Sequence, residues 1–134
     1  MAKMPKDVMD MFNDPSASKV LGTIDEKSVL NVAPIGTVRA IAGETIDFAD
    51  IYGGKTKTNL EQTKKAAAVA FKYPPPAGYQ IKGTFVGWQS SGPLFDQMDK
   101  RMKEILNIGI KRVGTIKVEE VYSMGMSEPG KKIV

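Results

Sequence analysis

The 134-residue sequence has no cysteine and no histidine. Without cysteine there is no disulfide, no thiolate nucleophile, no Cys-based zinc site and no thiol redox motif. Without histidine a chain has no Ser-His-Asp triad, no imidazole base and no His metal site. Any chemistry therefore falls to Lys, Tyr, Asp and Glu or to a bound cofactor. Aromatic residues are also scarce, at 7% with a single tryptophan. They do not interleave with the lysines, which argues against the stacking platforms of single-strand nucleic-acid binders. No apolar run approaches the roughly 18 residues that span a bilayer. The stretch Met1 to Asp7 lacks the apolar centre of a secretory signal. The expectation is a cytoplasmic protein with no membrane contact.

What remains is an ordinary globular composition, 42% hydrophobic and 25% charged. The length suits a single domain over residues 1–134. The net charge of +4 suits an anionic ligand, and nucleic acid as well. The charges are unevenly spread. Lys55, Lys57, Lys64 and Lys65 cluster around Glu61 alone, whereas Asp96 to Glu104 mixes signs as a solvated helix face does.

Pro5 to Phe12 reads as a short helix with Pro5 at its first position, broken by Asn13-Asp14-Pro15-Ser16. Ser18–Asp25, Ser28–Pro34 continued through Ile35–Ala42, and Thr45–Tyr52 read as a three-stranded meander. Pro34 cannot donate to a ladder and marks an edge or a bulge. Thr58 followed by Glu61 fits a capping box for a short helix. Ala66–Lys72 and Tyr79–Trp88 are further strands, with Gly83 and Gly87 as bending points. Leu94, Phe95, Met98, Met102, Ile105 and Leu106 form a helical stripe ended by Asn107 and Gly109. It serves the core or a subunit contact. Arg112–Tyr122 closes the series. The sum is a mainly β fold, an antiparallel barrel of six or seven strands. A short helix follows the third strand and a longer one precedes the last.

The segment Gly53-Gly54-Lys55-Thr56-Lys57-Thr58-Asn59-Leu60 carries the clearest chemistry. Glycines admit positive φ and close approach of the backbone. A helix start presents unpaired N–H groups backed by a partial positive charge. Lys55 adds charge and Thr56 a hydroxyl. Together they suit a phosphate. Gly54-Lys55-Thr56 is also the tail of a P-loop, but Ala49 stands where the first glycine belongs. Asp47 and Asp50 lie three apart on a strand, on opposite faces, and are no catalytic pair. Trp88 reads as a packing aromatic, and Gln80 as an amide facing either a ligand or solvent.

Lys55-Thr56-Lys57-Thr58-Asn59-Leu60, placed after a strand series and before two more strands, a helix and a closing strand, resembles the K-T-x-x-N-L signature of the FMN-binding split-barrel proteins. These are the pyridoxamine-phosphate-oxidase-like superfamily. The similarity of pattern runs from Ser18 to Tyr122. It implies a split β-barrel homodimer with FMN in the subunit cleft and a redox role with an unknown partner or small-molecule substrate. By position, Lys55 and Thr56 would hold the phosphate, and Asn59 the loop or ribityl chain. The backbone of Ala33, Pro34, Ile35 and Gly36 would lie along the flavin ring. Asp50 would sit beside the phosphate loop, and Gln80 would reach the flavin from its strand. No catalytic side chain and no metal ligand follow. The oxidase's Ser-Arg-Lys phosphate segment is replaced by Gly54-Lys55-Thr56, and its Arg- and His-bearing substrate motif has no counterpart. Small FMN-binding or flavin-reductase-like members therefore fit better than the oxidase. A deazaflavin-dependent reductase on the same fold is the first alternative, with Lys57, Lys64 and Lys65 on that coenzyme's acidic tail. A small basic barrel binding nucleic acid is the second.

Overall fold

A computed structural model describes residues 3–51 and 53–134. Helix α1 (Lys6–Asn13) precedes strands β1 (Ser18–Ile24), β2 (Leu30–Pro34), β3 (Arg39–Ala42) and β4 (Thr45–Asp50). Helix α2 (Gly54–Thr63) leads to β5 (Lys65–Lys72) and β6 (Ala77–Gln89), and α3 (Pro93–Leu106) to β7 (Arg112–Ser123). The end of the expected third strand, Tyr52, lies outside the described residues.

The seven strands form one antiparallel sheet in the order β2-β1-β5-β6-β7-β4-β3. The expected three-stranded meander is not there. Ser28–Ala42 is two strands, and β2 and β3 lie on opposite edges of the sheet. The break falls where Pro34 withholds a donor and Gly36 relaxes the backbone. Helix α2 accordingly follows the fourth strand.

The sheet curls around its apolar face. Leu21 of β1 and Ile46 of β4 are both fully buried in one cluster, although β5, β6 and β7 separate their strands in the ladder. Ile81, Phe85, Ile116, Val118 and Val121 fill the middle. β6 carries two register shifts, at Lys82/Gly83 and Phe85/Gly87, which sharpen its bend. Helix α1 plugs one end with Val8 and Phe12. Pro5 stands one position earlier than expected, at the N-cap. Asn13 then pairs with both backbone groups of Ala40, at 3.0 and 2.9 Å, and so covers part of the β3 edge.

Helix α3 packs separately. Met98 and Met102 are buried with Ala49, Ile110 and Val113 on the other face of β4 and β7. Ile105 and Leu106, at the end of the same stripe, are 62% and 54% exposed. The stripe is thus half core and half uncovered surface.

Candidate functional site

β4 ends at Asp50, and the geometry of the site starts there. One oxygen of its buried carboxylate accepts the Gly53 N–H at 2.7 Å, and the other lies 3.3 Å from Arg112 Nε. The bond to Gly53 holds the turn into α2. Gly53 and Gly54 have φ of 67° and 74°, a region L side chains rarely adopt. The glycine pair therefore starts the helix, four residues before Thr58. Thr58 lies inside α2, its hydroxyl donating to the Gly54 carbonyl at 3.2 Å, so the capping box does not form. Among the described residues no side chain caps α2. The N–H groups of Gly54, Lys55 and Thr56 have no intrahelical acceptor and carry the positive end of the helix.

Hydrogen bonds fix how α2 sits. Asn59 is fully buried and donates to Thr23 Oγ1 at 3.1 Å. Asn31 donates to Thr56 Oγ1 at 3.1 Å. Lys57 pairs with Glu61 at 3.0 Å, and Glu61 in turn accepts the Trp88 indole N–H at 3.0 Å. The Lys57 hydrogen bond, and then that of Trp88, hold the Glu61 carboxyl below its usual range. Trp88 also stacks near Phe85 and Phe48 and lies under the Arg112 guanidinium.

A cleft of about 640 Å³ opens beside this helix start. Of the residues expected at a site, Ala33, Pro34, Ile35, Gly36, Asp50 and Thr56 line it. Three do not. Lys55 turns to Asp25, 3.1 Å away, because it lies about 100° around the helix from Thr56. Asn59 is spent on Thr23 beneath the helix. Gln80 reaches Met124 Sδ at 3.7 Å, away from the cleft. Its strand pairs on both sides, with Val69 and Tyr122 opposite Gln80.

Sequence reasoning missed other lining residues. Lys57 lines the cleft where Lys55 does not, and Trp88, Met98 and Met102 give an apolar wall. Lys19, Arg39 and Arg101 also line the cleft. Burial, and then the neighbouring Arg101 and Arg39, push the Lys19 ammonium below its ordinary pKa. Burial and then Arg101 do the same to Arg39. Lys19 alone had a visible signal, as a charge within the inward alternation of Lys19, Leu21 and Thr23. Asp47 is buried off the cleft and its carboxyl is pushed up by burial. Among the described residues no cluster of acidic side chains has metal-ligand form.

No family model matches the chain, and no curated protein matches it. Solved structures do. The chain is similar to HupZ from Group A Streptococcus at 21% identity and a TM-score of 0.82, covering 98% of this chain and 99% of that one. It is similar to an FMN-binding protein from Syntrophomonas wolfei at 22% identity and 0.81, covering 89% and 84%. An F420 reductase matches at 13% identity and 0.70, covering 88% and 98%. With its curled seven-stranded sheet and the helix start beside β4, the chain shares the split-barrel fold of the Syntrophomonas wolfei FMN-binding protein and of similar solved structures.

Proposed function

We propose that the cleft binds FMN and that the chain acts in electron or hydride transfer as a homodimer. One observation carries this reading. A single cleft of about 640 Å³ joins the double-glycine helix start to the Ala33–Gly36 backbone. The donor set fits the coenzyme. Unpaired N–H groups, the Thr56 hydroxyl and the Lys57 ammonium suit a phosphate. Ile35, Phe48, Trp88, Met98 and Met102 suit a flat aromatic ring. When bound, FMN supplies the hydride and electron chemistry. This chain's residues bind and orient it. Asp50 holds the phosphate turn through Gly53, Asn59 pins α2 to β1, and the apolar wall excludes water from the ring. The homodimer is supported by uncovered apolar surface. Leu30 and Val32 on edge strand β2 are 78% and 69% exposed, and Ile105 and Leu106 stand at the cleft rim. A second copy packed there would remove them from water.

The visible absorption spectrum of the purified protein, before and after FMN is added, tests the reading. Flavin bands or quenched FMN fluorescence are expected. A shifted deazaflavin spectrum would assign the cleft to that coenzyme instead. A colourless protein that ignores FMN, yet binds oligonucleotides in a salt-sensitive way, would replace both.

The placement of Lys55 yields its own expectation. Lys55→Ala should change the Kd for FMN by no more than about threefold, since Lys55 is half-exposed and turned to Asp25 rather than into the cleft. A tenfold or larger loss in a fluorescence titration would show that Lys55 swings to the phosphate after all.

A further inference from the structure

We infer that Lys19, Arg39 and Arg101 form a second oxyanion subsite in the same cleft, for the carboxylate or phosphate of a small anionic ligand. Lys19 is only 7% exposed and lies on the inward face of β1 with Leu21 and Thr23. Among the described residues its ammonium has no hydrogen-bond or ion-pair partner. The nearby Asp14 is already paired with Lys72. Arg39 stands opposite Asp47 in the β3–β4 register without an ion pair between them. Arg101 lies on α3 one turn from Met98 and beside Met102, and it too lines the cleft. Among the described residues these three cations of one cavity have no ion-pair partner, only Asp14 nearby and Asp50 at the other end of the cleft, and they repel one another. A buried side chain such as Lys19 keeps its charge most readily where a partner neutralises it, and both arginines are half-buried beside it. Their effect on one another is visible in Lys19, whose proton affinity is lowered by burial and then by both arginines.

The cluster is distinct from the phosphate end. Thr23, which anchors α2, is four residues along β1 from Lys19, or about 13 Å. Asp50 is three residues along β4 from Asp47, the partner of Arg39, or about 10 Å. A phosphate at the α2 start does not reach both poles. The subsite would therefore take the anionic group of a substrate lying against the ring. That assignment of the neighbour rests on the FMN reading, while the cluster itself does not.

Citrate and inorganic phosphate, titrated calorimetrically into FMN-saturated protein at fixed ionic strength, test the subsite and separate its two ligand sources. At least one should bind, and Arg101→Gln should weaken it by about tenfold or more. The Kd for FMN should move less than that for the anion, because Lys19 and Arg39, which Arg101 neighbours, stand about 10 Å or more along their strands from the phosphate end. Lys19→Met should raise the melting temperature, because it relieves the repulsion among the three cations. It should also abolish the extra stabilisation that the anion gives the native chain. Equal anion binding by the native chain and Arg101→Gln would overturn the subsite. So would a tenfold loss of FMN affinity in Arg101→Gln with anion binding intact, which would give the cluster to the flavin. If FMN does not bind at all, the same comparison in the unliganded protein still decides the subsite, and only the flavin reading fails.

Discussion

Thr56→Glu should lower FMN affinity by at least about 100-fold and leave the fold in place. Thr56 is the third residue of α2 and lines the cleft at the phosphate end. A carboxylate there would face the phosphate at close range. Two unit charges about 4 Å apart interact by roughly 4 kcal/mol in the effective dielectric near a protein surface. Half of that already reaches roughly tenfold or more, and the phosphate carries nearly two charges at neutral pH. The lost hydroxyl donor adds to it. The helix itself does not object. A glutamate in the first turn is favoured by the helix dipole, and the lost bond from Asn31 is part-buried, not core. Binding and stability therefore separate. Fluorescence quenching of FMN gives the first and a far-UV circular dichroism melt the second. Unchanged FMN affinity in a folded Thr56→Glu protein would move the phosphate away from α2.

Gly83→Ala should destabilise the protein by about 3 kcal/mol, near the upper end for overpacked interiors. Gly83 lies in β6, at the register shift where the partner count skips from Glu120 to Val118. A Cβ there would run into the Lys117 carbonyl oxygen and press on Ile116 Cγ2 at 3.0 Å. The obstacle is the backbone of a central strand, paired on its other side with β4, so it has no easy retreat. By contrast, a Cβ on Gly36 meets nothing within 4 Å, and Gly36→Ala should leave stability within about 0.5 kcal/mol of the native value. For a domain of this size the Gly83 change corresponds to a fall of roughly 10 °C in melting temperature. Paired thermal melts of the two variants check it. A Gly83→Ala melt within 2 °C or so of the native chain would mean that the bulge relaxes freely.

Local pattern carried most elements of the fold. The alternation of Lys19, Leu21 and Thr23, the stripe through Met98 and Met102, and the bending glycines of β6 can all be read from neighbours a few residues apart. Pairing across the sheet could not. Nothing near Pro34 says whether the chain turns back beside β2 or leaves for the opposite edge. That choice depends on which strands remain free to accept β3, a property of the assembled sheet. The Thr58–Glu61 pair misled for a related reason. A capping box is a local signal, and it lost to two glycines at positive φ, the first of them held by the Asp50 carboxylate.

Of the cleft's lining, the backbone segment Ala33–Gly36 and the pair Asp50 and Thr56 were legible through the family resemblance. Lys55 was not, because a one-residue step turns a side chain about 100° around a helix. The three cations of the further subsite come from β1, β3 and α3. Arg39 and Arg101 each read as an ordinary surface charge, Lys19 shows only as a charge in an inward alternation, and the folded arrangement alone brings the three to one cleft.

The crossing from β2 to β3 has a consequence for motion. The segment between Pro34 and Arg39 spans the gap between the two outermost strands of the sheet and also forms a wall of the cleft. Whatever fills the cleft braces both rims of the curled sheet at once, like a wedge set in a split ring. Loading and rim opening then become one coupled equilibrium. Amide protons of β2 and β3, far apart along the ladder, should slow their exchange together on loading, with the buried centre of β6 changing least.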